Sequence, residues 1–258
     1  MEIVAVGLLA FFAIGYFVLG GADIGVGMLL PFLGRDRAER RLVITGIAPV
    51  FLGNEVWLVA TAGVLVGAFP DLEGELLTGL FPAIVGLLLG WVVRDAGLWL
   101  RHHIERPVWQ GLCDTAIALG SWAVALAWGW ALSCLLSGTT DHVVTEPGAL
   151  LIGLAITLLF GVHGLAFAAL RLSGTLRERA LRLSGPSGEL RTFALTGAVM
   201  ALLCLAAGFR LPLVRSAADP ATLELLVPVL LVITPLLVLA QVWLWRLFRH
   251  RVERPLYL

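Results

Sequence analysis

Apolar runs of the length that crosses a bilayer, roughly 20 residues, recur along the chain with short polar stretches between them. The pattern predicts seven helices, over about residues 3–32, 42–69, 76–100, 111–136, 149–170, 192–214 and 223–248. Residues 34–41 (GRDRAERR) read as a tight first loop, 69–77 (FPDLEGELL) as an acidic one, and 171–191 as the longest basic one. Pro49 predicts a kink in the second helix. Gly21/Gly25 and Gly63/Gly67 predict close helix packing, because small residues four apart let a neighbouring backbone approach. A phosphate loop would need a strand before these glycines, and the apolar run leaves no place for one. The opening MEIVAVGLLAFFAIGYFVLG has no basic leader and reads as the first membrane helix, not a cleaved signal.

Composition agrees. Of 258 residues, 59% are hydrophobic and 14% charged, against about 25% charged in soluble domains. The expected fold is all-α and polytopic, a first four-helix bundle over 1–137 followed by a reduced bundle of three helices over 148–250. Net charge is zero, so the total points to no nucleic acid. Its distribution is informative: all 18 basic residues are arginines, and 16 of them fall on one side of the predicted topology. The positive-inside rule makes that side cytoplasmic, with the N-terminus outside and the C-terminus inside. Only Arg210 and Arg215 fall opposite. Cys113, Cys134 and Cys204 lie within apolar segments and read as small buried hydrophobes, not as a disulfide or metal set.

Acids within lipid-spanning segments are costly and mark functional sites by default. Asp23 and Glu55 occupy adjacent helices joined by a short turn. Counting 1.5 Å per residue from the inner helix ends places Asp23 about 15 Å, Glu55 about 20 Å and His163 about 10 Å into the membrane. Arg94 and Asp114 fall nearer the inner surface. The groups predict a column at graded depths that would pass protons from the cytoplasm toward mid-membrane. Asp23, Glu55, His163 and Asp114 are the proton-pathway candidates, with Asn54, Trp57, Arg94 and Arg101 as supporting polar groups. Each also has a structural reading. The acids would pair with Arg94, His163 would be a satisfied packing histidine, and Asp114 would complement a helix N-terminus. No group reads as catalytic, cofactor-binding or metal-ligating in this chain.

The segments GADIGVGMLLPFLGRDRAERR, IAPVFLGNEVWL, AGVLVGAFP, VVRDAGLWLR, GLCDTAIALGS, VHG and RLSGTLRERA resemble subunit II of the cytochrome bd family of quinol oxidases. The ending PLLVLAQVWLWRLFRHRV resembles that family's last helix. The resemblance implies a multi-pass subunit of the bacterial plasma membrane, in a complex that oxidises quinol and reduces O₂ to water. Haems b and d would sit in a larger partner, subunit I, and this chain would be a non-haem accessory subunit. A quinone, a small single-helix subunit and a proton route through this chain are compatible with that reading. Asp23, Asn54, Glu55, Trp57, Arg94, Arg101, Asp114, His163 and Gly164 occupy family motif positions. The chain departs from the family at Leu52, where many members carry an aspartate, at Gly20, where some carry an acid, and in having seven helices where about nine are typical. Two other readings stay open: a small secondary transporter or permease subunit, and a purely structural scaffold.

Overall fold

The computed structural model describes residues 1–185 and 188–254. Helices account for most of it: α1 (Glu2–Met28), α2 (Leu30–Leu33), α3 (Arg37–Ile47), α4 (Phe51–Ala68), α5 (Pro70–Gly79), α6 (Phe81–Leu100), α7 (Pro107–Leu136), α8 (Pro147–Arg171), α9 (Gly174–Ser184), α10 (Glu189–Arg210) and α11 (Pro220–Leu247). Seven of them, α1, α4, α6, α7, α8, α10 and α11, are long and apolar enough to cross a membrane. Pro186, Ser187 and residues 255–258, part of the predicted basic loop and tail, lie outside the described residues.

Several predicted boundaries are corrected. The second helix is not a kinked rod but two helices, α3 and α4, separated at Ala48–Val50. Pro49 lies in that gap; proline supplies no backbone N–H and its ring clashes with the preceding turn. Most of the first loop is helical, since Asp36 caps α3 by accepting from the Glu39 N–H at 2.9 Å. The acidic stretch is α5, begun by Pro70 with Asp71 and Glu73 in its first turn, where negative charge complements the helix dipole. The fourth helix starts earlier than expected, at Pro107. The basic loop carries α9, an amphipathic helix whose Leu176 and Ala180 are buried.

The packing is set by glycines where helices cross. A Cβ on Gly25 of α1 would run into the Phe160 carbonyl and the Gly164 backbone of α8, and one on Gly164 would strike the Gly25 backbone. Gly90 of α6 and Gly120 of α7 make a similar contact. Without a hydrophobic force between helices in lipid, this close approach is what dispersion requires. The Gly21/Gly25 expectation therefore holds, with Gly21 against Met200 and Phe160. The Gly63/Gly67 one does not: Gly63 faces open space and Gly67 meets only the Leu226 side chain. Cys113 and Cys134 are buried, Cys204 is half-buried, and all three are free.

The arginine-rich segments gather at one end of the bundle. Arg179 of α9 pairs with Glu39 of α3 at 2.7 Å and donates to the Leu33 carbonyl. Residues after α11 fold back over the end of α8: the Val252 N–H donates to the Arg171 carbonyl at 2.8 Å, and Arg171 donates to the carbonyls of Phe248 and His250. Arg251 reaches Glu189 at 2.5 Å and the Ala169 carbonyl at 3.0 Å. At the opposite end, Thr140 donates to Glu75, and the Ala218 N–H donates to the Ala68 carbonyl at 2.8 Å.

Candidate functional site

Arg94 lies on α6, is 2% exposed, and is among the largest fully buried side chains in the chain. A buried guanidinium needs anionic partners. Three acids engage its two terminal nitrogens, while Nε has no partner among the described residues. Nη2 meets Asp23 Oδ1 of α1 at 2.5 Å, and Nη1 meets Asp95 Oδ1 at 2.8 Å and Glu55 Oε1 of α4 at 3.2 Å. Three helices thus converge on one cation. The graded column is corrected here: Arg94 is not nearer the surface than the two acids but holds both. Depths counted separately along each helix missed this, because tilt and register bring the three groups to one level.

The Glu55 side chain is 14% exposed and that of Asp95 20%, so the cluster opens toward the outer face of α4 and α6. Leu52, one turn before Glu55, is exposed on α4. Asp23 sits on the inner side, 2% exposed. Between them is a cavity of about 10 Å³, room for about one water molecule. It is lined by Tyr16, Gly20, Asp23, Glu55, Trp91 and Arg94 among others. Trp91 Nε1 donates to Glu55 Oε1 at 2.9 Å, and Trp128 Nε1 donates to the Tyr16 hydroxyl at 3.1 Å.

A chain of neutral groups leads away from the cluster. Asn54 Nδ2 donates to Asp23 Oδ2 at 2.8 Å and to the Leu19 carbonyl at 3.0 Å. Asn54 Oδ1 accepts from Gln241 Nε2 of α11 at 3.0 Å, and Gln241 Oε1 accepts from Trp57 Nε1 at 3.2 Å. Sequence reasoning missed Gln241, Trp91 and Asp95. The signal for Gln241 was present: it is an amide inside the apolar run of the last helix.

The other predicted residues lie elsewhere. Asp114 of α7 binds Arg101 Nε at 2.6 Å and lies 3.5 Å from Arg40, at the arginine-rich end. His163 of α8 has both ring nitrogens engaged. Nε2 donates to the Val18 carbonyl at 2.9 Å, Nδ1 meets Thr196 Oγ1 at 2.7 Å, and the ring stacks on Phe193 at 4.4 Å. It ties α1, α8 and α10 together, and to ligate haem iron it would first have to give up one of those bonds.

Comparison with known proteins gives the chain a family. The family described as cytochrome bd terminal oxidase subunit II matches residues 1–214. The chain is 31% identical over 207 residues to cytochrome bd-I ubiquinol oxidase subunit 2 of Escherichia coli strain K12, covering 75% of this chain and 52% of that protein. It is 32% identical over 189 residues to cytochrome bd ubiquinol oxidase subunit 2 of Bacillus subtilis, covering 69% and 55%. It is also 32% identical over 200 residues to a probable cytochrome oxidase subunit 2 of Haemophilus influenzae, covering 71% and 53%. The chain thus spans about half the length of the curated relatives it matches. A match over that much of a chain with seven candidate spans settles its kind: it is a multi-pass membrane protein of the cytochrome bd terminal oxidase subunit II family.

Proposed function

We propose that this chain is the non-haem accessory subunit of a bd-type quinol oxidase, and that its carboxylate cluster handles protons for the haem-bearing partner. The observation that carries the reading is the convergence of Asp23, Glu55 and Asp95 on the single buried Arg94. One guanidinium cannot neutralise three carboxylates in a medium of low dielectric, so neutrality there requires up to two bound protons. A cluster whose charge balances only by holding protons is suited to taking them up and passing them on. Glu55 stands at the exposed edge, Asp23 at the sheltered one, and the small cavity joins them. Leu52, where many family members carry an acid, cannot take part, and Glu55 one turn along supplies an acid on that side of α4. Chemistry on O₂ and quinol belongs to the partner. This chain's residues hold protons and keep the helices in register.

The arginine-rich end would face the cytoplasm, with Asp114 and Arg101 near it. The test is the pair of variants D23N and E55Q in the complex purified from its membranes. Each is expected to lower quinol oxidase turnover about tenfold or more while haem content and subunit ratio stay normal. Unchanged turnover in the double variant would leave the chain a scaffold. Counterflow of a solute by the chain alone would instead support a transporter.

A further inference from the structure

The last membrane helix contributes almost nothing to the buried interior except Leu223, Val227 and Gln241. Gln241 is 9% exposed and lies between Trp57 and Asn54 of α4. A primary amide can be inserted either way round, so its orientation must be set by its neighbours. Here both ends are fixed. An indole N–H only donates, so Trp57 requires the Gln241 oxygen to face it. The Gln241 nitrogen then faces Asn54, whose oxygen must accept. That leaves the Asn54 nitrogen to donate to Asp23 Oδ2 and the Leu19 carbonyl, an oxygen that can only accept. If Asn54 were turned around, its oxygen would meet the Asp23 carboxylate and the Leu19 oxygen, and two favourable contacts would become repulsive.

We propose that Gln241 is a positioning residue: it transmits the polarity of the Trp57 indole to Asn54 and so keeps a hydrogen-bond donor on Asp23. No group in this relay titrates, so it carries no protons. It fixes the electrostatic setting of the acid that does. The relay joins α1, α4 and α11 at the site through side chains and the Leu19 carbonyl. The proposal rests on Asp23 being a functional acid, and its test separates the two.

The complex from native membranes is compared as wild type, Q241M and W57F, with D23N to identify the Asp23 carboxyl band in the infrared spectrum. Methionine keeps the volume and the packing beside Gly53 and Leu244 but offers no amide. Expected are a displaced Asp23 band and a fall in kcat of about fivefold, the size of one hydrogen bond, with KM for quinol unchanged. W57F, which frees Gln241 to turn over, should move the same band in the same direction by less. An Asp23 band unmoved in Q241M overturns the proposal. If Q241M does not assemble, an unmoved band in W57F overturns it instead. If D23N itself leaves turnover intact, the proton reading of the cluster fails, while the band shift still reports whether Gln241 sets the orientation.

Discussion

At the scale of single residues the site is governed by one cation. Arg94 satisfies three acids contributed by α1, α4 and its own helix. Removing one partner of a buried ion pair costs about 3–5 kcal/mol, because the remaining charges lose their compensation. Arg94→Leu is therefore expected to lower the melting temperature of the purified complex markedly and to reduce its yield. Arg94→Lys should recover part of the stability but little of the turnover, because an ammonium cannot spread donors over Asp23 and Glu55 as a planar fork does. Glu39 gives a pH-dependent counterpart outside the membrane spans. Its hydrogen bonds to Arg179 and to the Arg35 N–H hold its carboxyl below the usual range. Its stabilising effect is complete above the ordinary glutamate value of about 4.3 and is lost as the pH falls through the lower folded value. Proteolytic nicking at the arginines of α9 should rise as the pH drops through that window, and E39Q should show fast nicking already at neutral pH.

The acids themselves were legible in the sequence, since a carboxyl in an apolar run needs a reason to be there. Their meeting was not. Asp23 and Arg94 are 71 residues apart, and nothing local fixes the register of α1 against α6. That register is relayed through α7, which Gly27 of α1 meets at Ser121 and Gly90 of α6 meets at Gly120. Gln241 was overlooked because one amide barely perturbs a 28-residue apolar helix. Its importance shows only when its two neighbours on α4 are known.

At the scale of elements, hydropathy gave the spans and missed the short helices. α5 and α9 are polar enough to read as loops, and their order comes from an acidic first turn in one and buried Leu176 and Ala180 in the other. The caps make quantitative expectations possible. Asp36→Ala removes the acceptor for the Glu39 N–H and should cost about 1 kcal/mol, visible as faster amide exchange at the start of α3. The glycine crossing is less forgiving. Gly25→Leu places a side chain where the Phe160 carbonyl and the Gly164 backbone lie, an overpacking cost of about 1–3 kcal/mol or more. Loss of assembled complex in membranes, measured by haem absorbance, is the expected outcome. The same change at Gly63, which faces open space, should be silent unless a partner covers that face.

At the scale of the whole molecule, the arginine asymmetry read from the sequence has a physical counterpart. The basic segments do not merely fall on one side; they interlock there, through Arg179 with Glu39 and through the tail folded over Arg171. Single cysteines introduced at Glu178 and at Asp141 should be labelled by an impermeant reagent from opposite sides of the membrane, with Glu178 reached only after the cell is opened. Labelling of both from the same side would overturn the arrangement of spans.

The light anchorage of α11 has a practical consequence. A helix with three buried residues among 28 owes much of its place to surrounding lipid or to whatever protein lies alongside. Solubilisation in a harsh, short-chain detergent should therefore peel it away before the other spans separate. Preparations would then retain full haem colour yet turn over slowly, and gentle reconstitution into lipid should restore the lost rate.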